Sequence, residues 1–151
     1  MASPTTRSAQ AWPFIASYQM DFTDKIRVIR SGLPAQRVCE LSSVMGMPIK
    51  ALIDSLGLSH TAIKRKVQRE HALSPGESER VMGIQALIGQ VQAMIAPEST
   101  AEFDAAIWLA NWLVNPLPAL AGATPASFMD TVEGQKYVSN LLEMSQSGSY
   151  A

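Results

Sequence analysis

The side chains best suited to chemistry crowd into one short run, where Ser59, His60, Thr61, Lys64, Arg65, Gln68 and Arg69 fall within eleven positions. On a helical wheel Thr61, Lys64, Arg65, Gln68 and Arg69 share one side, and Ile63, Val67 and Glu70 lie opposite. Lysine and arginine pair with phosphates and guanine edges, while threonine and glutamine reach adenine and the sugar-phosphate backbone. A helix lying in the major groove of DNA needs this combination. The flanking residues supply the means to position it: Ile49 to Leu56 reads as a preceding helix, Gly57 allows the left-handed backbone of a tight turn, Leu58 plugs that turn, and Ser59 caps the second helix. Lys66 departs from the pattern, because many helix-turn-helix units carry an apolar residue there; Val67 is expected to take its place. The plainer reading of these cations is a solvated helix face. Glycine, leucine plug, cap and four basic residues in one place favour DNA binding as a dimer.

Other chemistry finds little support. His60 and His71 stand eleven residues apart with a single distant Cys39, which is no metal-ligand spacing and allows no internal disulfide. None of the nine glycines falls in a phosphate-binding or nucleophile-elbow motif. Glu98, Glu102 and Asp104 could be imagined as paired carboxylates, but acids in a first helical turn are favoured by its electrostatics alone. The reading is therefore a non-enzyme with no cofactor and no metal. Trp108 and Trp112 lie four apart on one helix face; core packing is expected, with a partner or dimer surface as the alternative. Cys39 reads as a small core residue, and the eight methionines as gap fillers.

The elements that must hold these residues are helical throughout. Glycine and proline divide the chain into short segments, and none alternates as a strand does. Residues 21 to 31 place Phe22, Ile26 and Ile29 at helical spacing and stop at Gly32. After Pro34, Val38, Leu41, Val44 and Met45 form a stripe that ends at Gly46. Ser74-Pro75-Gly76-Glu77 has capping-box spacing and starts a long helix to about Ile95. Ser99-Thr100-Ala101-Glu102 repeats the device and starts a helix expected to bury Phe103, Ile107, Trp108 and either Leu113 or Trp112. A last helix is expected from Thr131 to Met144, followed by a polar tail. The start of the chain, residues 1 to 20, reads as a flexible arm without the apolar stretch of a secretory signal.

Of 151 residues only 17% are charged, against about 25% in an average soluble domain, which hints at surface covered by a partner. The charge is also segregated: residues 25 to 80 hold ten basic and five acidic residues, and residues 81 to 151 hold Lys136 against six acids. Two jobs are implied, the first facing an anion. The longest nearly apolar stretch, Ala105 to Val114, is far shorter than the roughly 20 residues of a membrane span. The solitary cysteine suits a reducing cytoplasm.

The second half carries a series of short motifs in order. Trp112-Leu113 leads into Asn115-Pro116-Leu117-Pro118-Ala119-Leu120-Ala121-Gly122 and Pro125, then Asp130-Thr131 with Gly134, Val138 and Leu141-Leu142, then Gly148-Ser149-Tyr150-Ala151. This series resembles the C-terminal domain of Xre/MbcA/ParS-type antitoxins, and the helix-turn-helix run resembles their N-terminal domain, including Leu73-Ser74-Pro75 and Arg80. The resemblance covers residues 22 to 151. It implies an all-α protein with an arm over residues 1–20, a DNA-binding domain over 21–96 and a toxin-binding domain over 97–151. It further implies a RES-domain toxin that destroys NAD as partner, with Asn115, Pro116, Leu120, Gly122, Gly148, Ser149, Tyr150 and Ala151 as contacts. The C-terminal end would reach the toxin's active site, and the helix-turn-helix would repress the shared operon as a homodimer on operator DNA. Ala121 departs from the family's paired glycines, Ala62 stands where relatives often have threonine, and Met144-Ser145 replaces a usually basic-apolar pair. A transcriptional regulator without a toxin is the alternative.

Overall fold

The computed structural model describes residues 14 to 95 and 103 to 147, and these are all helical apart from turns and an isolated antiparallel bridge between Pro34 and Ala72. Among the described residues eight α-helices follow in order: α1 Phe14–Gln19, α2 Phe22–Ser31, α3 Gln36–Met45, α4 Ile49–Ser55, α5 His60–Gln68, α6 Pro75–Met94, α7 Ala105–Leu113 and α8 Val132–Ser147. Two 3-10 turns, Pro118–Leu120 and Pro125–Phe128, join the last two.

The long α6 is the axis of the molecule. Its start is the predicted capping box: the Ser74 hydroxyl accepts from the Glu77 N–H at 3.1 Å, and Glu77 Oε1 accepts from the Ser74 N–H at 2.8 Å. Twenty residues at 1.5 Å each give a rod about 30 Å long. It buries Val81, Ile84, Leu87, Ile88 and Val91, and with them the polar Ser78, Gln85 and Gln90, because α1, α2, α7 and α8 all pack around it.

The expectation of a flexible arm through residue 20 is corrected by α1. Phe14 is buried against α6, and Gln85 Nε2 donates to the Ser17 hydroxyl at 3.3 Å. A side chain on Gly89 would overlap the Phe14 carbonyl, so this glycine permits the close approach. Residues 1 to 13 lie outside the described residues.

Because α1 occupies that side of α6, α2 reaches the core only through half-buried Val28 and Ile29. It buries none of its residues, and Phe22 and Ile26, expected on an inward face, are 82% and 46% exposed. Cys39 is likewise half-buried rather than a core residue.

The α7 helix also turns the other way from expectation. Ser99 to Glu102 lie outside the described residues; Asp104 caps the helix, accepting from the Ile107 N–H at 3.1 Å. The buried side is Ala105, Ala106, Leu109, Ala110 and Leu113, while Ile107 and Trp108 are 45% and 38% exposed and Phe103 is half-buried. These alanines and leucines pack against α3 and α6, with Trp112 half-buried against the core.

The last helix runs three residues past the predicted Met144, to Ser147, and buries Gln135, Val138, Leu141 and Leu142. One apolar cluster extends from Phe14 to Leu142 and includes side chains on both sides of residues 96 and 97.

Candidate functional site

The turn between α4 and α5 forms as the sequence requires. Gly57 takes φ 66°, Leu56 and Leu58 are buried, and the Leu58 N–H donates to the Ile53 carbonyl at 3.0 Å. The Ser59 hydroxyl caps α5 by accepting from the Ala62 N–H at 3.1 Å. One residue outside the run fixes the turn: Arg80 Nη1 on α6 donates to the carbonyls of Leu56 at 2.9 Å and Gly57 at 3.0 Å. A Cβ on Gly57 would stand 2.9 Å from the Asp130 Cβ, so the turn is wedged between α6 and the residues just before α8.

On α5 the inward residue is Ile63, with Val67 half-buried beside it. Ser59, His60, Thr61, Lys64, Arg65, Gln68 and Arg69 are all exposed. Among the described residues no carboxylate pairs with Lys64, Arg65 or Arg69. The helix is shorter than the predicted inward stripe: Glu70 lies beyond its end, exposed, at φ 56°. Lys66 accounts for its own departure from the pattern. Its ammonium meets Glu77 Oε1 at 2.6 Å, both side chains largely buried, and so ties α5 to the first turn of α6. Burial pushes the Glu77 carboxyl up, but the Lys66 ammonium and the Ser74 N–H outweigh it and hold the group below the usual carboxylate value.

His60 faces back toward α4, its Nε2 2.7 Å from Asp54 Oδ1, with Lys50 Nζ 3.4 Å from the other oxygen. The His60 hydrogen bond is the largest cause holding the Asp54 carboxyl below its ordinary value; desolvation opposes it, and Lys50 adds to the lowering. Asp54 and Arg80 thus shape this surface without belonging to the predicted contact set. Asp54 was legible only as an acid six positions before a histidine, and Arg80 only as part of the resemblance.

The predicted toxin contacts divide. Residues 117 to 123 close a loop on themselves, with the Gly122 N–H donating to the Leu117 carbonyl at 3.0 Å and the Leu117 N–H to that of Ala123 at 3.1 Å. Asn115, Pro116 and Gly122 are exposed around it, whereas Leu120 points inward and is 8% exposed. Gly122 takes φ 90° and Ala121 φ 55°. Gly148, Ser149, Tyr150 and Ala151 lie outside the described residues. Nearby, Gln135 is buried with its Nε2 donating to the carbonyls of Arg80 at 3.1 Å and Met129 at 3.0 Å, which ties α8 to the residue that holds the α4–α5 turn. Among the described residues no group of histidines, cysteines and carboxylates could hold a metal ion, and no helix is long and apolar enough to cross a membrane.

Residues 103–148 match the family model of the antitoxin Xre/MbcA/ParS C-terminal toxin-binding domain. Over 137 residues the chain is 36% identical to the Prs ADP-ribosylating antitoxin of Sphingobium sp. (strain YBL2), an alignment that covers 90% of this chain and 86% of that relative. With its all-helical architecture and these two likenesses, the chain belongs to the Xre/MbcA/ParS-type antitoxins.

Proposed function

We propose that the chain neutralises a cognate RES-domain toxin that consumes NAD, with Gly148, Ser149, Tyr150 and Ala151 blocking its active-site cleft, and that it represses its own operon as a homodimer. In this reading residues 21–96 bind operator DNA through α5, residues 97–151 bind the toxin, and the protein acts in the cytoplasm without a cofactor. The observation that carries it is a single framework joining two surfaces: Arg80 and Asp130 brace the turn behind the exposed cations of α5, while Gln135 links Arg80 to the matched toxin-binding unit. Support for NAD chemistry comes from the relative's name, which refers to ADP-ribosylation. Both ADP-ribosyl transfer and NAD destruction break the bond between nicotinamide and ribose. The homodimer is supported by α2, whose exposed Phe22 and Ile26 border a groove of about 420 Å³ lined also by Met82, Leu87 and Val132. A twofold arrangement lets each copy place its phenyl ring in the other's groove.

Truncation tests the blocking role. Because α8 is described through Ser147, a chain ended there keeps every described residue of the helix and loses Gly148 to Ala151. The truncated chain is expected to keep its stability and DNA binding, to bind the toxin more weakly, and to restore much of the toxin's NAD consumption at saturation. Equal inhibition by both chains would place neutralisation on the domain surface instead.

A further inference from the structure

Helix α7, Ala-Ala-Ile-Trp-Leu-Ala-Asn-Trp-Leu, has no charged residue and one polar residue, Asn111. A helix apolar on every side belongs inside a protein. Here only the side formed by Ala105, Ala106, Leu109, Ala110 and Leu113 is inside, while Ile107 and Trp108 face solvent, with exposed Val114 following at 52%. Trp108 is moreover set in place by its neighbours: it stacks on Trp112 with ring centroids 6.1 Å apart and planes 13° from parallel, and it meets Phe103 at 6.4 Å. Phe103 and Trp112 are themselves packed against the core, so the outer indole stands on a fixed aromatic base. A large ring held in one orientation before binding loses little freedom on contact, which is the property of an interface anchor.

We infer that Ile107, Trp108 and Val114 form a second contact surface for the toxin, one that anchors the domain while the C-terminal end engages the cleft. This rests on the toxin-neutralising reading above. Three observations choose the toxin over a second copy of the chain. The patch lies within residues 103–148, the segment matched by the toxin-binding model, and leads directly into the Asn115-Pro116 loop. That segment holds Asp104, Asp130, Glu133 and Glu143 against Lys136, so a self-association across it would bring like charges together, whereas a basic partner surface would be attracted. The exposed Phe22 and Ile26 of α2 offer a second copy a different surface, a groove to which the matched segment contributes Val132, Gln135, Lys136 and Ser139 and none of its acids. The partner surface therefore has an apolar socket for an indole and an isoleucine, rimmed by basic groups.

The test measures binding of the purified full-length chain to its proposed cognate RES-domain toxin, for wild type, Trp108→Ala and Ile107→Glu, with melting curves, sedimentation and operator binding recorded for each. Either substitution is expected to weaken the complex about 30-fold or more, the effect of removing an interface anchor. Helicity, oligomeric state and DNA affinity should stay at wild-type values. Unchanged toxin affinity in both variants overturns the proposal. So does dissociation of the free chain's dimer, which assigns the patch to a second copy, or loss of fold in both variants, which makes the patch structural. Failure of the wild type to bind the RES-domain protein contradicts the toxin reading itself, whereas wild-type binding matched by both variants contradicts the patch alone.

Discussion

At Glu77 one carboxylate oxygen serves two elements, closing the capping box of α6 and receiving the Lys66 ammonium of α5. Replacing it with glutamine keeps the cap's shape but leaves a largely buried ammonium without its counter-charge, a loss of about 2 kcal/mol near neutral pH. In the unfolded chain the carboxyl has its ordinary value of 4.5, and in the folded chain it lies lower, so folding favours the ionised form. The stabilisation is complete above that ordinary value and is lost as pH falls through the lower folded one. Denaturant midpoints of wild type and Glu77→Gln should therefore differ at pH 7 and converge on acidification. A constant gap would remove the ion pair from the account. At Ala121 the effect has the opposite sign. An alanine at φ 55° bears a strain that glycine does not, offset in part by the greater freedom of glycine in the unfolded chain. Ala121→Gly should raise stability by about 0.5 kcal/mol, read from the same midpoints. Here the sequence flagged the position, as a departure from paired glycines, without showing the backbone angle that gives it meaning. Lys66 is the converse: its misfit was visible, and its partner Glu77, eleven positions away on another helix, was not.

Elements were legible where local chemistry defines them. Ser74 and Glu77 mark the start of α6 on their own, and Gly57 with Leu58 sets the α4–α5 turn, because caps and turns are decided within four residues. Orientation was harder. In α7 both sides of the wheel are apolar, Ala105, Ala106, Leu109, Ala110 and Leu113 on one and Ile107 and Trp108 on the other, and only packing against α3 and α6 selects between them. In α2 the periodicity was sound, but the place it would have filled is taken by α1, a helix within the stretch read as an arm. Helix α5 carries the prediction that belongs at this scale. If about five basic residues of a dimer neutralise phosphates, log K for operator DNA should fall with log salt at a slope of about −4 to −5. Lys64→Ala with Arg65→Ala should flatten that slope and lower affinity while circular dichroism stays unchanged, since both side chains are exposed. Equal binding by wild type and the double variant would remove α5 from the DNA-binding surface.

Across the whole molecule, a single apolar cluster joins the α4–α5 turn to the toxin-binding unit. The opposite charges of the two halves give no sign that Arg80, Gly57, Asp130 and Gln135 lock the halves together, because those contacts span up to 73 positions. The most direct measurement of the central claim is NAD consumption by the purified RES-domain protein as the full-length chain is titrated in. The account predicts that consumption falls to background once every toxin active site has an antitoxin chain to occupy it. Undiminished consumption in the presence of a large excess of folded chain would contradict it.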